Sequence, residues 1–250
     1  MKKINYERPV VKAIQWINTK NYPSFGAAYN DYLFIKAFKK CNYNFNLDGK
    51  TVGQCASNSK YFCTDKGDIF SLDSKDGKTI LKKHKITLDN TNNNYRIGIL
   101  GKRSGIASRV IAECFFYDID KEYSSNKLSY EDFELSNLVI HHKTNVKEFK
   151  DLLTPNEINS LENLQLLTVK THNQLTSWYT TIKPIFDKRK VKSIYYIDKK
   201  FFNKGSASKV FVAKKTKLCD KEVIQHYVVN YLSNAELSKL AESKENWIMY

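Results

Sequence analysis

Four residues in the middle of the chain have the types and spacing that suit metal-assisted hydrolysis. His141 and His142 are adjacent at the end of the apolar run Leu138–Ile140, and Asn163 and His172 follow further along the chain. Imidazole binds divalent metals and titrates near neutrality, so it can also accept a proton from water. These residue types and their order along the chain therefore predict a metal-binding site.

The elements around the four residues predict a strand, a loop, a second strand and a helix. The apolar runs at 138–140 and 164–167 favour strands, and a strand sends adjacent side chains to opposite faces. His141 and His142 should therefore point in different directions. Thr168 predicts the N-cap of the following helix. The apolar face of that helix is predicted to contain His172, Leu175, Tyr179 and Ile182.

The segments "VIHHK" and "ENLQLLTVKTHNQ" resemble the HNH nucleases with a ββα-metal fold, and are most similar to phage and intron-encoded homing endonucleases. The nine-residue step from Asn163 to His172 looks like the spacing in those nickases, whereas the segment between His142 and Asn163 is longer than usual there. The resemblance implies that His141 and His172 are metal ligands and that His142 is the general base. It also implies that Asn163 holds the loop and orients His142.

The resemblance implies a divalent metal cofactor. Mg²⁺ is the expected ion, with Mn²⁺, Zn²⁺ or Ni²⁺ as alternatives, because a histidine occupies the first ligand position where the family often has aspartate. Each residue alone has a simpler interpretation. His172 would be a satisfied core histidine, Asn163 a turn residue, and the histidine pair a surface feature. Their order along the expected elements favours the site.

The charge of the whole chain favours a polyanionic partner. The 250 residues have a formal net charge of +15, and 42% of them are hydrophobic, which predicts a folded basic protein. Double-stranded DNA is the predicted partner, and a membrane surface is the competing polyanion. No apolar run reaches the length of a spanning helix, and the first residues do not resemble a signal peptide. Five irregularly spaced cysteines predict reduced thiols and a cytoplasmic protein. The resemblance to phage enzymes implies that it is bacterial or phage-encoded.

Residues 61–117 predict a basic β-rich unit that resembles, more loosely, the small module preceding the HNH site in phage homing endonucleases. Its strands are predicted around the turn Asp65–Asp68, over Lys78–Leu88 and over Tyr95–Leu100, with a turn at Gly101–Gly105 and a short helix capped by Ser108. The alternative is a solvated sheet face. The residues predicted to dock on the DNA backbone are Lys82, Lys83, Lys85, Arg96, Lys102, Arg103 and Arg109.

The rest of the chain completes a predicted α+β fold. A helix is expected over Ala27–Cys41, a linker or helix-loop over 118–136, and a helix beginning at Thr154-Pro155. Two strands are expected on either side of Asn203–Gly205, and one or two helices over Asp220–Glu245. The predicted domains are an N-terminal segment of open role (1–57), the docking module (58–117), the nuclease core (118–186) and a C-terminal extension (187–250).

Together these features predict a metal-dependent DNA endonuclease that leaves 5′-phosphate and 3′-hydroxyl ends. A monomer should nick one strand and a dimer could cut both. Two alternatives stay open. One is a restriction or defence nuclease with the same chemistry, and the other is a non-catalytic DNA-binding protein with a structural metal site.

Overall fold

The computed structural model shows an α+β chain divided into two compact units. The N-terminal unit comprises Met1–Ser136 and Asn159–Glu162, and the C-terminal unit comprises Asn137–Ile158 and Asn163–Tyr250. Predictions for 1–24, 118–136 and 230–245 lie outside the described residues, and the four predicted domain boundaries stay predictions. The structure describes residues 25–40, 50–55, 58–89, 94–99, 102–116, 138–188, 191–197 and 210–229.

The described residues of the N-terminal unit form two antiparallel sheets, in the orders β1-β2-β3-β4 and β5-β6-β7, and two helices. Their bounds are α1 Phe25–Lys40, β1 Val52–Gln54, β2 Tyr61–Thr64, β3 Ile69–Lys75, β4 Lys78–Lys83, β5 Thr87–Asp89, β6 Asn94–Ile99, β7 Lys102–Ile106 and α2 Ala107–Phe115.

The core of the N-terminal unit forms where α1 packs on the first sheet. Phe34 stacks on Phe62 with 4.3 Å between ring centroids, and Phe70, Leu72 and Leu81 complete the cluster. The helix predicted over Ala27–Cys41 is found as α1, and the strand-turn-strand predicted over 61–72 is found as β2 and β3.

Three local predictions for this unit are wrong. Lys78–Leu88 is two strands in different sheets, because the chain leaves the first sheet where His84 and Ile86 turn into the core. Lys102–Gly105 belongs to β7, which pairs with β6, rather than to a turn. Helix α2 begins one residue before Ser108, and its N-cap Ile106 makes no side-chain capping hydrogen bond.

The C-terminal unit contains a two-stranded hairpin, β8-β9, and a three-stranded antiparallel sheet, β10-β11-β12. Its elements, with the 3₁₀ turn that crosses the unit boundary, are β8 Leu138–His142, α3 Val146–Phe149, α4 Pro155–Ile158, the 3₁₀ turn Leu161–Asn163, β9 Leu164–Thr168, α5 Val169–Lys188, β10 Ser193–Ile197, β11 Val210–Leu218 and β12 Lys221–Val229.

Side-chain caps start two helices of this unit, as the sequence predicts. Thr154 and Glu157 form a reciprocal capping box at α4: the Glu157 amide donates to Thr154 Oγ1 at 3.3 Å, and the Thr154 amide donates to Glu157 Oε2 at 2.7 Å. At α5 the Thr171 amide donates to Thr168 Oγ1 at 3.2 Å. The local sequence therefore determines where both helices begin.

One face of α5 is buried, and three of its four predicted residues, Leu175, Tyr179 and Ile182, lie on it, whereas His172 is only half-buried. Phe186 extends this face, which packs against the β10-β11-β12 sheet, and the helix continues through Pro184 to Lys188. Spacings of three and four residues explain why these side chains share a face.

The predicted helix after Asp220 is wrong over Lys221–Val229, which is strand β12. A two-residue turn joins β11 to β12, and both of its residues have positive φ, 48° at Cys219 and 64° at Asp220. That geometry is typical of a type I′ hairpin, for which Asn-Gly or Asp-Gly is the usual signal. Because Cys-Asp lacks that signal, the sequence alone did not indicate the turn.

Candidate functional site

The β8-β9 hairpin places the two adjacent histidines at the end of β8. All five residues of β8 pair with β9, from Leu138 opposite Thr168 to His142 opposite Leu164. Strand alternation sends His141 and His142 to opposite faces. The side chain of His141 is buried, with 4% exposed, and that of His142 is half-buried. The two imidazoles therefore occupy different environments.

The first turn of α5 brings His172 to His141. Strand β9 ends at Thr168, opposite Leu138 at the start of β8, so α5 has to pack back across the hairpin for His172 to reach His141. The two ring centroids are 5.3 Å apart, and the rings meet edge to face at 70°. Two residues predicted as metal ligands are thus neighbours.

A third histidine, His226 on β12, belongs to the same cluster and was missed by the sequence prediction. Its ring is 4.8 Å from that of His141 and stacks on Tyr179 at 4.0 Å with an interplanar angle of 3°. The sequence prediction placed this segment in a helix, so His226 was not considered. The available signal was β-branched and aromatic residues around it, Val223, Ile224, Tyr227, Val228 and Val229, which favour a strand.

One hydrogen bond determines the tautomer of His141. Its Nε2 lies 2.8 Å from the backbone carbonyl oxygen of His226. A carbonyl can only accept, so Nε2 must carry the proton, and the lone pair of the neutral ring lies on Nδ1. A carbonyl partner of this kind is the usual support for a histidine that binds metal through its other nitrogen.

Burial keeps two of the clustered imidazoles neutral. It lowers the pKa of His141 to about 4, against the opposing effect of the His226 carbonyl and with smaller contributions from the neighbouring charges of His172, His142 and Lys143. Burial likewise lowers the pKa of His226 to about 3. The His226 Nδ1 atom is buried and makes no hydrogen bond within the described residues. Only a neutral imidazole has a lone pair for a metal ion.

Asn163 ties the segment after β8 to two other elements. It is fully buried, and its Oδ1 accepts from the Thr144 amide at 3.0 Å and from Gln225 Nε2 at 3.3 Å. Its Nδ2 donates to the Ile158 carbonyl at 2.8 Å, and its own carbonyl accepts from the Lys143 amide. These contacts fit the loop-holding role predicted for Asn163. Its predicted effect on the orientation of His142 stays a prediction.

Strand β12 is attached to the hairpin by hydrogen bonds that imitate sheet pairing. The side-chain Nε2 of Gln165 donates to the Val228 carbonyl at 2.6 Å, and its Oε1 accepts from the Val228 backbone amide at 2.9 Å. The His226 amide donates to the Lys143 carbonyl at 2.7 Å, and Thr144 forms an isolated bridge with Gln225. The histidine cluster is consequently built by β8, α5 and β12 together.

No family model, curated protein or solved structure matches this chain.

The predicted metal depends on the ligands that the cluster offers. Within the part of the chain that the structure describes, no group of three or more His, Cys, Asp or Glu side chains could hold a metal ion. The proximity of His141 and His172 leaves the predicted pair of nitrogen ligands a prediction. An ion held by two imidazoles would keep its other positions for water and substrate oxygens, which is the coordination of an open site.

The seven predicted DNA-docking residues lie on several elements of the N-terminal unit. Lys82 and Lys85 are exposed, and the side chains of Lys102 and Arg103 lie outside the described residues. The other three contact carboxylates: Lys83 to Asp68 at 2.6 Å, Arg96 to Asp89 at 2.8 Å and Arg109 to Glu113 at 3.6 Å.

The ion pair of Lys83 is partly structural. Asp68 has little exposed surface and contacts both Lys83 and Lys50. Burial opposes ionisation of Asp68, but the two lysines outweigh it and lower the pKa of the carboxyl group. Lys83 is therefore a poor position for testing DNA contact, since its replacement would leave a buried charge with one partner fewer.

Among the described helices, none combines the length and apolar composition needed to cross a membrane.

Proposed function

We propose that this chain is a metal-dependent DNA endonuclease of the HNH type, which nicks or cuts double-stranded DNA in the manner of homing enzymes. The observation that carries the proposal is the strand-loop-strand-helix unit that places His141 5.3 Å from His172. His142 lies on the opposite face of the same strand end, and buried Asn163 holds the loop. The proximity of these residues supports the proposal.

The chain's own groups account for water activation and positioning. His142 is half-buried, so a water molecule can reach it, and an imidazole can remove a proton from that water near neutral pH. The contacts of Asn163 hold the backbone just after His142, which limits how far the base can move. Positioning of this kind lowers the entropic cost of in-line attack on phosphorus.

His141 Nδ1 and His172 would hold the divalent ion. When bound, the ion supplies Lewis acidity to the departing 3′ oxygen and charge for the phosphate oxygens, which leads to 5′-phosphate and 3′-hydroxyl ends. The His226 carbonyl supports this arrangement by keeping His141 in the required tautomer.

Plasmid nicking tests the proposal directly. We expect supercoiled plasmid to be converted to the open circle with Mg²⁺ or Mn²⁺, and the reaction to stop with EDTA. His172→Ala should lower the rate by orders of magnitude because it removes one of two ligands. The half-buried ring contributes little packing, so its loss should cost at most about 1–3 kcal/mol of stability.

A structural metal would behave in the opposite way, since its binding energy is folding energy. Strong thermal destabilisation by EDTA, with no metal supporting nicking of any DNA offered, would contradict the nuclease proposal and favour a non-catalytic DNA-binding protein. Mapping the cut positions in unmodified DNA and in host-modified DNA distinguishes a homing-type from a restriction-type enzyme.

The basic N-terminal unit offers a second test. Lys82→Gln together with Lys85→Gln should lower the slope of log affinity against log salt by about 0.9 per lysine for a random duplex, because each lysine that meets a phosphate releases counterions. Both side chains are exposed, so folding should not change. Fluorescence anisotropy over a salt series measures the slope. The matched control is Lys75→Gln with Lys78→Gln, also exposed. Equal slopes for the two variants would mean that Lys82 and Lys85 do not contact the DNA.

A further inference from the structure

A basic groove lies in the C-terminal unit, on the sheet that carries His226. Its volume is about 540 Å³. The residues that matter for its chemistry are Lys192, Lys215, Lys217, Phe149 and Glu222. None of the seven residues predicted to dock on DNA belongs to it.

The groove continues the sheet face that covers α5. Cross-strand pairing places Lys215 opposite Ile224 and Lys217 opposite Glu222, in line with Ala213 opposite His226. Side chains two residues apart share a face, so the apolar half of this face packs on α5 and its other half is basic. Glu222 and His226 are four residues apart, roughly 13 Å at about 3.3 Å per residue. The basic half therefore begins close to the histidine cluster.

The three lysines are held beside one another. The Lys215 amide donates to the Lys192 carbonyl at 2.8 Å, which fixes the two residues side by side. The Lys215 ammonium lies 5.2 Å from the ring centroid of buried Phe186, a cation–π contact that orders its side chain. Lys215 and Lys217 are about 6.6 Å apart along the strand, so each ammonium can meet a different phosphate of one strand.

The charge of the groove is largely uncompensated. Three exposed lysines face one carboxylate, Glu222, and among the described residues no ion pair involves any of the three. By contrast, Lys221 pairs with Glu157 at 2.6 Å and Lys183 with Asp187 at 2.8 Å in the same unit. Phe149 adds an aromatic edge that can contact sugars.

We propose that this groove binds the sugar–phosphate backbone of duplex DNA. The choice of DNA rests on the proposed nuclease function and on the three uncompensated lysines, whose charge is complementary to phosphates. Contact is with the backbone and without base readout, since the lining residues include three lysines and no arginine, asparagine or glutamine; Thr216, Val223 and Ile224 complete the lining.

The test is binding of a fluorescent random-sequence duplex to the full-length chain in EDTA, over a series of salt concentrations. The triple substitution Lys192→Gln, Lys215→Gln and Lys217→Gln should lower the salt slope by about 2.7, and should weaken binding roughly 500-fold at 0.1 M salt. The control carries the same change of charge at the exposed residues Lys75, Lys78 and Lys214, the last on the opposite face of β11. The salt slope of this control variant should stay closer to that of the unaltered chain than the slope of the groove variant does.

Equal slopes in the two triple variants, or no binding of duplex DNA by the unaltered chain, would overturn the proposal. So would a loss of duplex RNA binding in the groove variant with DNA binding unchanged. Circular dichroism melts verify that both variants are folded. Because EDTA prevents metal-dependent cleavage, the result is independent of nicking: a chain that binds as expected yet never nicks contradicts the nuclease proposal alone.

Discussion

His142→Ala is expected to reduce nicking by about 10³-fold while leaving metal affinity within a few-fold of the unaltered chain, because a general base contributes to proton transfer and is not a ligand. His141 and His142 leave the strand on opposite faces, and the carbonyl-supported tautomer belongs to His141. Single-turnover nicking rates measure the first effect, and calorimetric titration with Mn²⁺ measures the second.

The matched variant is His141→Ala, which should weaken metal binding strongly as well as stop nicking. If His142→Ala lowered metal affinity as far as His141→Ala, the roles of the two residues would be reversed. An exogenous imidazole that restores nicking to His142→Ala and not to His141→Ala would support a missing base. Rescue of both variants, or of neither with intact metal binding in His142→Ala, would contradict the assigned role.

Acid is expected to destabilise the metal-free protein by about 4 kcal/mol between pH 7 and pH 5. Burial lowers the pKa of His141 to about 4 and of His226 to about 3, from an ordinary value of 6.5. The unfolded chain then binds protons that the folded chain does not. The stabilisation is complete above about pH 6.5 and falls as the pH drops towards the folded pKa values. At pH 5 the pH is about 1.5 units below the unfolded pKa of 6.5, so each histidine lowers the free energy of unfolding by about 2 kcal/mol.

Urea unfolding in EDTA at pH 7.5, 6 and 5 measures this dependence. His84 in the N-terminal unit also has a lowered pKa, caused first by burial, so it contributes in the same direction. His226→Phe separates the contributions, because phenylalanine keeps the stack on Tyr179 and the backbone carbonyl that holds His141. It should remove about half of the loss attributed to the His141–His226 pair. An unchanged pH dependence in His226→Phe would show that His226 is not held neutral in the folded chain.

The hairpin and helix around the histidines could be predicted because their signals are local. Apolar runs at 138–140 and 164–167 form β8 and β9, and Thr168 caps α5 where its sequence position predicts. Alternation along a strand separates His141 from His142 whatever the rest of the fold does. The spacing of Leu175, Tyr179 and Ile182 likewise determines which face of α5 is buried.

The attachment of β12 could not be predicted, because it depends on contacts between residues far apart in the chain. Gln165 binds Val228, and His141 binds the carbonyl of His226, across separations of 63 and 85 residues. The positive φ values at Cys219 and Asp220 that turn β11 into β12 carry no glycine signal. The ion pairs of Lys83 and Arg96 are similarly set by strand register, whereas Arg109 and Glu113 are four residues apart on α2, a local spacing.

By itself the sequence determined the secondary structure of the histidine segment, the charge of the chain and the residue types available for chemistry. Periodicity and capping act over a few residues, so they can be seen without a fold. The tertiary structure decided that His226 joins His141 and His172, which nitrogen of His141 carries the proton, and which lysines are neutralised by carboxylates. These properties depend on burial and on long-range pairing, and a linear pattern contains neither.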